Sequence, residues 1–115
     1  MSRRRVVVTG LGLVCPVGVG VEESWQALVA GKSGIGPITH YDASTFPTRI
    51  AGEVRGFDPE KFMDRKEVRR NDRFIHFALA AADMAVKDSG LDVEKEDPTR
   101  IGAIVGSGMG GLATI

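Results

Sequence analysis

The stretch Phe74–Val86 constrains this chain more than any other. It holds Phe74, Ile75, Phe77, Ala78, Leu79, Ala80, Ala81, Ala82, Met84, Ala85 and Val86. An apolar run of this length without Gly or Pro reads as a helix, and a helix apolar on nearly every side needs burial on most sides. Asn71 or Asp72 is placed to cap it, and its end is expected near Ser89. Gly90 followed by Leu91 fits a Schellman ending with its hydrophobic contact. The alanines admit close packing. Whatever else the chain forms must cover this helix.

Candidate cover is sparse. Arg5–Thr9 is a short β-branched run closed by Gly10, and Arg100–Gly106 is a second. Both read as buried strands, and their continuous apolarity favours a sheet covered on both faces. Ile50–Val54 is a weaker strand candidate. Between them, Gly10–Gly18 is an apolar, Gly-rich passage expected to be packed. Glu22–Ala30 reads as a helix with acids at its positive end, an apolar face of Trp25, Leu28 and Val29, and Gly31 as C-cap. Ser33–Tyr41 reads as a loop punctuated by Gly and Pro. Asp58-Pro59-Glu60 is a helix start, with a capping Asp and Pro at the first position. A further helical turn or two is expected around Arg65–Arg70, and an acidic, polar connection over Asp92–Thr99.

The order β, α, weak β, α, α, β predicts an α/β fold with a largely parallel sheet. Two or three strands cannot cover a helix as apolar as Phe74–Val86. The sequence also stops at Leu112–Ile115, where a further helix or strand should begin. The expectation is a chain cut in mid-domain, with poor stability on its own.

Composition narrows the function classes. Fifteen Lys and Arg balance fifteen Asp and Glu, which argues against a general nucleic-acid binder. With 43% hydrophobic residues the chain is not of disordered type. Its apolar runs are far short of the roughly 20 residues a membrane span needs. The basic opening Met1–Arg5 is followed by no signal-peptide pattern. A single cysteine, Cys15, permits no intrachain disulfide, and with two distant histidines it predicts no Cys-based metal site. A cytoplasmic chain is the simplest reading.

Fifteen glycines make about 13% of the chain, near twice the usual ~7%. Gly106, Gly108 and Gly111 satisfy G-x-G-x-x-G after an apolar strand. One reading is a dinucleotide-binding turn; the other is close backbone packing at the end of a core strand. The acid that would test the first reading, about 20 residues further on, would lie past Ile115. Val6–Thr9 with Gly10 and Gly12 is also Rossmann-like, but Cys15 takes the place of the third glycine. Cys15 itself precedes Pro16 in an apolar segment and reads as a buried structural thiol. His40 lies in a loop, and His76 is explained by an ordinary helix pair with Asp72. Lys66, Arg69 and Arg70 stand at i, i+3 and i+4, so a helix would put three cations on one face. Arg65 and Arg73 extend the patch, which carries a local charge of +3 over residues 65–73. From spacing alone it is a solvated face; the alternative is docking of an acidic partner.

Taken in order, Arg4–Gly12, Pro16–Gly18, Trp25, Gly31–Ile35, Asp64–Arg70, Asp88–Leu91, Arg100–Gly102 and Gly106–Gly111 resemble the bacterial 3-oxoacyl-acyl-carrier-protein synthase II family. The resemblance covers the whole chain, and Asp64–Arg70 is more like synthase II than synthase I. It implies a thiolase-like, layered αβαβα fold, here the N-terminal portion over residues 1–115. The implied reaction is a decarboxylative Claisen condensation of acyl- and malonyl-loaded acyl carrier protein by a cytoplasmic homodimer without cofactor or metal. It runs through a cysteine nucleophile, two histidines and an oxyanion hole. These catalytic residues are expected beyond Ile115, so residues 1–115 alone should be inactive. Cys15 falls where the family usually has Ser, and neither His40 nor His76 matches a catalytic histidine. Lys66, Arg69 and Arg70 match the positions that dock the acidic carrier protein. Met109 matches the gate of the acyl pocket, where the family often has Ile, with Gly108 and Gly110 leaving room for the chain. Two rivals remain: a nucleotide-binding domain using Gly106–Gly111, and a non-catalytic carrier-protein binding module.

Overall fold

A computed structural model of the chain describes residues 3–111. Strands β1 (Val14–Cys15) and β2 (Gly18–Val19) form a tight antiparallel hairpin that pairs Val14 with Val19. Helix α1 (Val21–Val29) follows at once. Strands β3 (Ile35–Pro37) and β4 (Ile50–Gly52) form a second antiparallel pair, with Gly36 opposite Ala51. A 3-10 turn at Pro59–Lys61 leads into helices α2 (Arg65–Arg70) and α3 (Arg73–Ser89), and a second 3-10 turn occupies Pro98–Arg100.

Local chemistry explains where the helices begin and end. In α1, Glu23 reaches back to accept from the Val19 N–H at 3.0 Å. Gly31, at φ +68°, closes it: Gly31 N–H donates to Leu28 O and Lys32 N–H to Ala27 O, the paired bonds of a Schellman motif. Asp58 caps the first 3-10 turn, accepting from Glu60 N–H at 3.0 Å. Asp64 caps α2 by accepting from both Lys66 and Glu67 N–H at 2.8 and 2.9 Å. Gly90 ends α3 in the left-handed region. The expected Schellman bond is replaced there: Leu91 N–H donates to the Ser89 hydroxyl, which itself donates to Val86 O.

The larger expectations are corrected. Val6–Val8 and Ile101–Val105 form no strand, and Val6 is 95% exposed. A strand exists only through hydrogen bonds to a neighbour, and neither segment has a partner strand among the described residues. The ladders present are antiparallel, not parallel. β3 lies inside the stretch read as a loop, because its partner is 15 residues further on and no local signal marks it. Trp25, Leu28 and Val29 are exposed, while Ser24 and Ala27 form the buried side of α1. In α3 only His76 and Ala80 are buried. The end that should begin a new element, Leu112–Ile115, lies outside the described residues.

What core there is forms around aromatic rings. Phe57 is buried, stacks on Phe62 at 5.8 Å and meets the edge of Phe77 at 5.0 Å. This ties the segment before α2 to α3. A second seam runs along α3. A Cβ on Gly12 would fall on the Ala81 carbonyl, and one on Gly10 on the Ala85 carbonyl and Ser89. Leu11 N–H, between them, donates to Asp88 at 2.8 Å. The Gly-rich passage is packed, as expected, and the alanines of α3 are what let it in. The Cα radius of gyration is 17.3 Å, against ~13 Å for a compact domain of ~100 residues.

Candidate functional site

Helix α2 carries the cationic cluster. A six-residue helix is far too short to persist by its own propensity, so its neighbours must hold it. Asp64 caps its start. At its end, Asn71 N–H donates to Glu67 O at 3.1 Å, and the Asn71 side-chain amide donates to the same carbonyl and to a Glu67 carboxylate oxygen, each at 3.0 Å. The His76 ring, 8% exposed, meets Val68 O through Nε2 at 3.1 Å. Val68 is the one α2 residue that is not exposed.

The five bases of residues 65–73 separate into two groups. Arg65 faces Glu60 at 3.7 Å. Arg73 donates to Val54 O at 2.9 Å and lies 5.1 Å over the Phe77 ring, a cation–π contact. Arg73 is drawn toward the protein by those contacts, and Arg65, though 73% exposed, has Glu60 beside it, so neither is as open as the other three. Lys66, Arg69 and Arg70 are exposed and take part in no ion pair among the described residues. Glu67, the acid among them, is drawn toward Asn71 instead. The result is three available cations on a helix fixed at both ends.

Met109 is 75% exposed, and the turn around it is held by Gly110 N–H donating to the Ser107 hydroxyl at 3.0 Å. Gly110 has φ +64°, and a Cβ there would lie 3.8 Å from the Phe74 ring. The glycine turn therefore sits against the first turn of α3, the end that adjoins α2. The cations and Met109, far apart in sequence, share one end of α3. Gly106 and Gly108 have open space where a Cβ would stand. The expected close packing is absent at these two, and no described helix follows the turn to present its N-terminus to a phosphate.

Cys15 is half-buried rather than buried, and it borders an apolar hollow of about 380 Å³ with Leu13, Pro16, Leu28 and Ile35. Burial pushes its thiol up, but hydrogen bonding with Ser24 and with the Val17 and Gly18 backbone outweighs this and brings the net shift down. The thiol donates to Ser24 Oγ at 3.3 Å; a thiolate would accept from it. The charge acting on it is Glu23, which opposes ionisation. His40 is exposed, 3.9 Å from Glu53. Glu53 is the group that sequence reasoning missed. It is buried and accepts from the Thr39 N–H at 2.8 Å and hydroxyl at 2.7 Å. Those bonds, with His40 adding, hold its carboxyl below the usual range. Fourteen residues separate the two, so no spacing rule marked the pair. For His76, the structure adds a ring contact that sequence reasoning missed, with Val68 O of α2. No group of three or more His, Cys, Asp or Glu among the described residues is placed to hold a metal ion. No described helix is long and apolar enough to cross a membrane.

Comparison with known proteins places this geometry. Residues 3–115 match the profile of the β-ketoacyl synthase N-terminal domain. The whole chain is 52% identical to 3-oxoacyl-[acyl-carrier-protein] synthase 2 of Coxiella burnetii, 54% to that of Vibrio cholerae and 45% to that of Synechocystis. It spans about 28% of the length of each of these curated relatives. Among solved structures, the ishigamide ketosynthase/chain length factor is 42% identical with a TM-score of 0.72, over 81% of this chain and 23% of that one. None of these relatives supports the dinucleotide-binding alternative. The fold is the α/β N-terminal part of a thiolase-like ketosynthase, and the chain belongs to the β-ketoacyl synthase N-terminal domain family.

Proposed function

We propose that this chain is the N-terminal part of a 3-oxoacyl-acyl-carrier-protein synthase of type 2. The whole enzyme lengthens acyl chains by decarboxylative condensation of acyl- with malonyl-loaded carrier protein. The acyl group moves to a cysteine, and carbon dioxide leaves the malonyl group. The resulting carbanion attacks the acyl thioester and releases the cysteine thiolate. The cysteine, two histidines and oxyanion hole lie outside residues 1–115 in this proposal, and the enzyme works as a cytoplasmic homodimer. This segment contributes the docking face, Lys66, Arg69 and Arg70, for the acidic carrier protein. It also contributes Met109 as a deformable gate to the acyl pocket, flanked by Gly108 and Gly110.

The observation that carries docking is the separation of the cations. The three left exposed without an ion pair are those that match the family's docking positions, and they stand at the same end of α3 as Met109. A carrier protein bound there would deliver its thioester close to the gate. The test is charge reversal in the full-length protein, K66E/R69E/R70E. Affinity for carrier protein should fall about 30-fold, roughly 2 kcal/mol, and its salt dependence should flatten. Unchanged affinity refutes docking at α2.

A further inference from the structure

We propose that His76 is the positioning residue for the carrier-docking helix: its ring N–H fixes the C-terminal end of α2, and with it the direction in which Lys66, Arg69 and Arg70 point. The proposal rests on docking at α2 and adds the part that sets its geometry.

The reasons lie in the bonding of α2. Its last four carbonyls have no partner inside the helix. Glu67 O is taken by Asn71, a residue of the same segment, so that bond closes the helix without anchoring it to the rest of the protein. Asp64 likewise caps the start from within the segment. Val68 O is different. Its partner is His76 on α3, eight residues on, and the ring is buried against α2. A carbonyl oxygen only accepts, so the contact requires the proton on Nε2. The bond is part-buried, and losing it leaves the Val68 carbonyl without its donor from α3.

The leverage is geometric. Lys66 lies two residues before Val68, and Arg69 and Arg70 directly follow it. Val68 is thus the pivot about which the three cations are arranged. Arginine recognises carboxylates through a rigid planar fork, so a rotation of α2 degrades two contacts together. Arg73 and the Phe57–Phe62–Phe77 cluster hold the neighbouring segment and α3. Arg65 of α2 also faces Glu60 of the preceding 3-10 turn, but that pair is exposed and 3.7 Å apart, whereas the His76 hydrogen bond joins α2 directly to α3.

The experiment uses the full-length protein with carrier protein as ligand. H76L keeps the bulk and removes the donor; H76Q keeps an N–H at similar reach. H76L is expected to weaken carrier affinity about tenfold, with the loss appearing in KM for the carrier-bound substrate rather than in kcat. H76Q should restore affinity to within about twofold of wild type. In a K66E/R69E/R70E background, H76L should add no further loss, because there is no docking geometry left to spoil. Wild-type affinity in H76L overturns the proposal, as does H76Q binding as weakly as H76L. An equal H76L loss in the charge-reversed background does so too. Should H76L fail to fold, H76Q affinity and the ring nitrogen spectrum of wild-type protein decide: a His76 tautomer with bare Nε2 overturns it. If charge reversal leaves affinity unchanged, docking at α2 fails instead, whatever His76 does.

Discussion

The α2–α3 junction and the two apolar flanks of the chain, residues 6–8 and 101–105, follow opposite rules. The junction is polar and largely exposed, yet around the three open cations Lys66, Arg69 and Arg70 it is tied down: Asp64, Glu67, Asn71, Arg73 and His76 each have a named partner. The flanks are apolar and β-branched, the composition of a protein interior, yet they lie open to solvent. Caps and turns draw on residues within a few positions, so a short segment can satisfy them. A sheet draws on strands distant in sequence, and its hydrophobic stabilisation appears only once the faces are covered. Order here follows the reach of the interaction rather than the apolarity of the segment.

The largest test of that contrast removes everything but these residues. Residues 1–115 in isolation should show no condensing activity and no sharp two-state urea transition, because the exposed flanks contribute nothing to cooperativity. A steep transition monitored by Trp25 fluorescence would mean that the flanks pair after all. Smaller, and measured in the full-length protein, is the effect of adding side chains to glycines in the two regions. Gly12→Val places atoms on the Ala81 backbone and should destabilise by about 3 kcal/mol. Gly106→Ala, where there is open space, should stay within about 0.5 kcal/mol. Equal melting shifts for the two would erase the distinction.

The smallest effect is a pH response confined to the β3–β4 end. Glu53 has its pKa lowered by Thr39 and His40. A depressed carboxyl pKa adds stability above the ordinary glutamate value and loses it as pH falls through the folded value. Protection of the Thr39 N–H, its exchange taken relative to the intrinsic rate, should therefore fall on acidification below the ordinary glutamate range, and the E53Q variant should not show that step. An identical acid profile in E53Q would refute it.

The same division decides what could be read from sequence. Helix α1 was expected over Glu22–Ala30 and stands at Val21–Val29. The Asp58 cap and the Arg65–Arg70 helix also stand where composition put them, because an Asp, a Pro and an acid in the first turn act locally. Gly31 was legible for the same reason. The first and last strands were not, since apolarity records a preference for burial but not which strand provides it. At the candidate site, the i, i+3, i+4 spacing put Lys66, Arg69 and Arg70 on one face but read it as a solvated one; only the family resemblance gave it a docking role, which is a proposal here. The spacing could not set Arg65 and Arg73 apart from the other three: that needed Glu60, the Val54 carbonyl and the Phe77 ring, which folding brings beside them.

The glycine seam along α3 has one more consequence. Gly10 and Gly12 are two residues apart, about 6.8 Å in extended chain. The carbonyls they meet, Ala81 and Ala85, are four apart, about 6 Å along the helix. The two spacings nearly coincide, so the segment and the helix mesh like teeth of similar pitch. A slip by one residue would press Leu11 or Leu13 against those carbonyls. The seam thus acts as a ruler: it sets the phase at which Val6–Val8 leave the helix, and so where any sheet built on them must start.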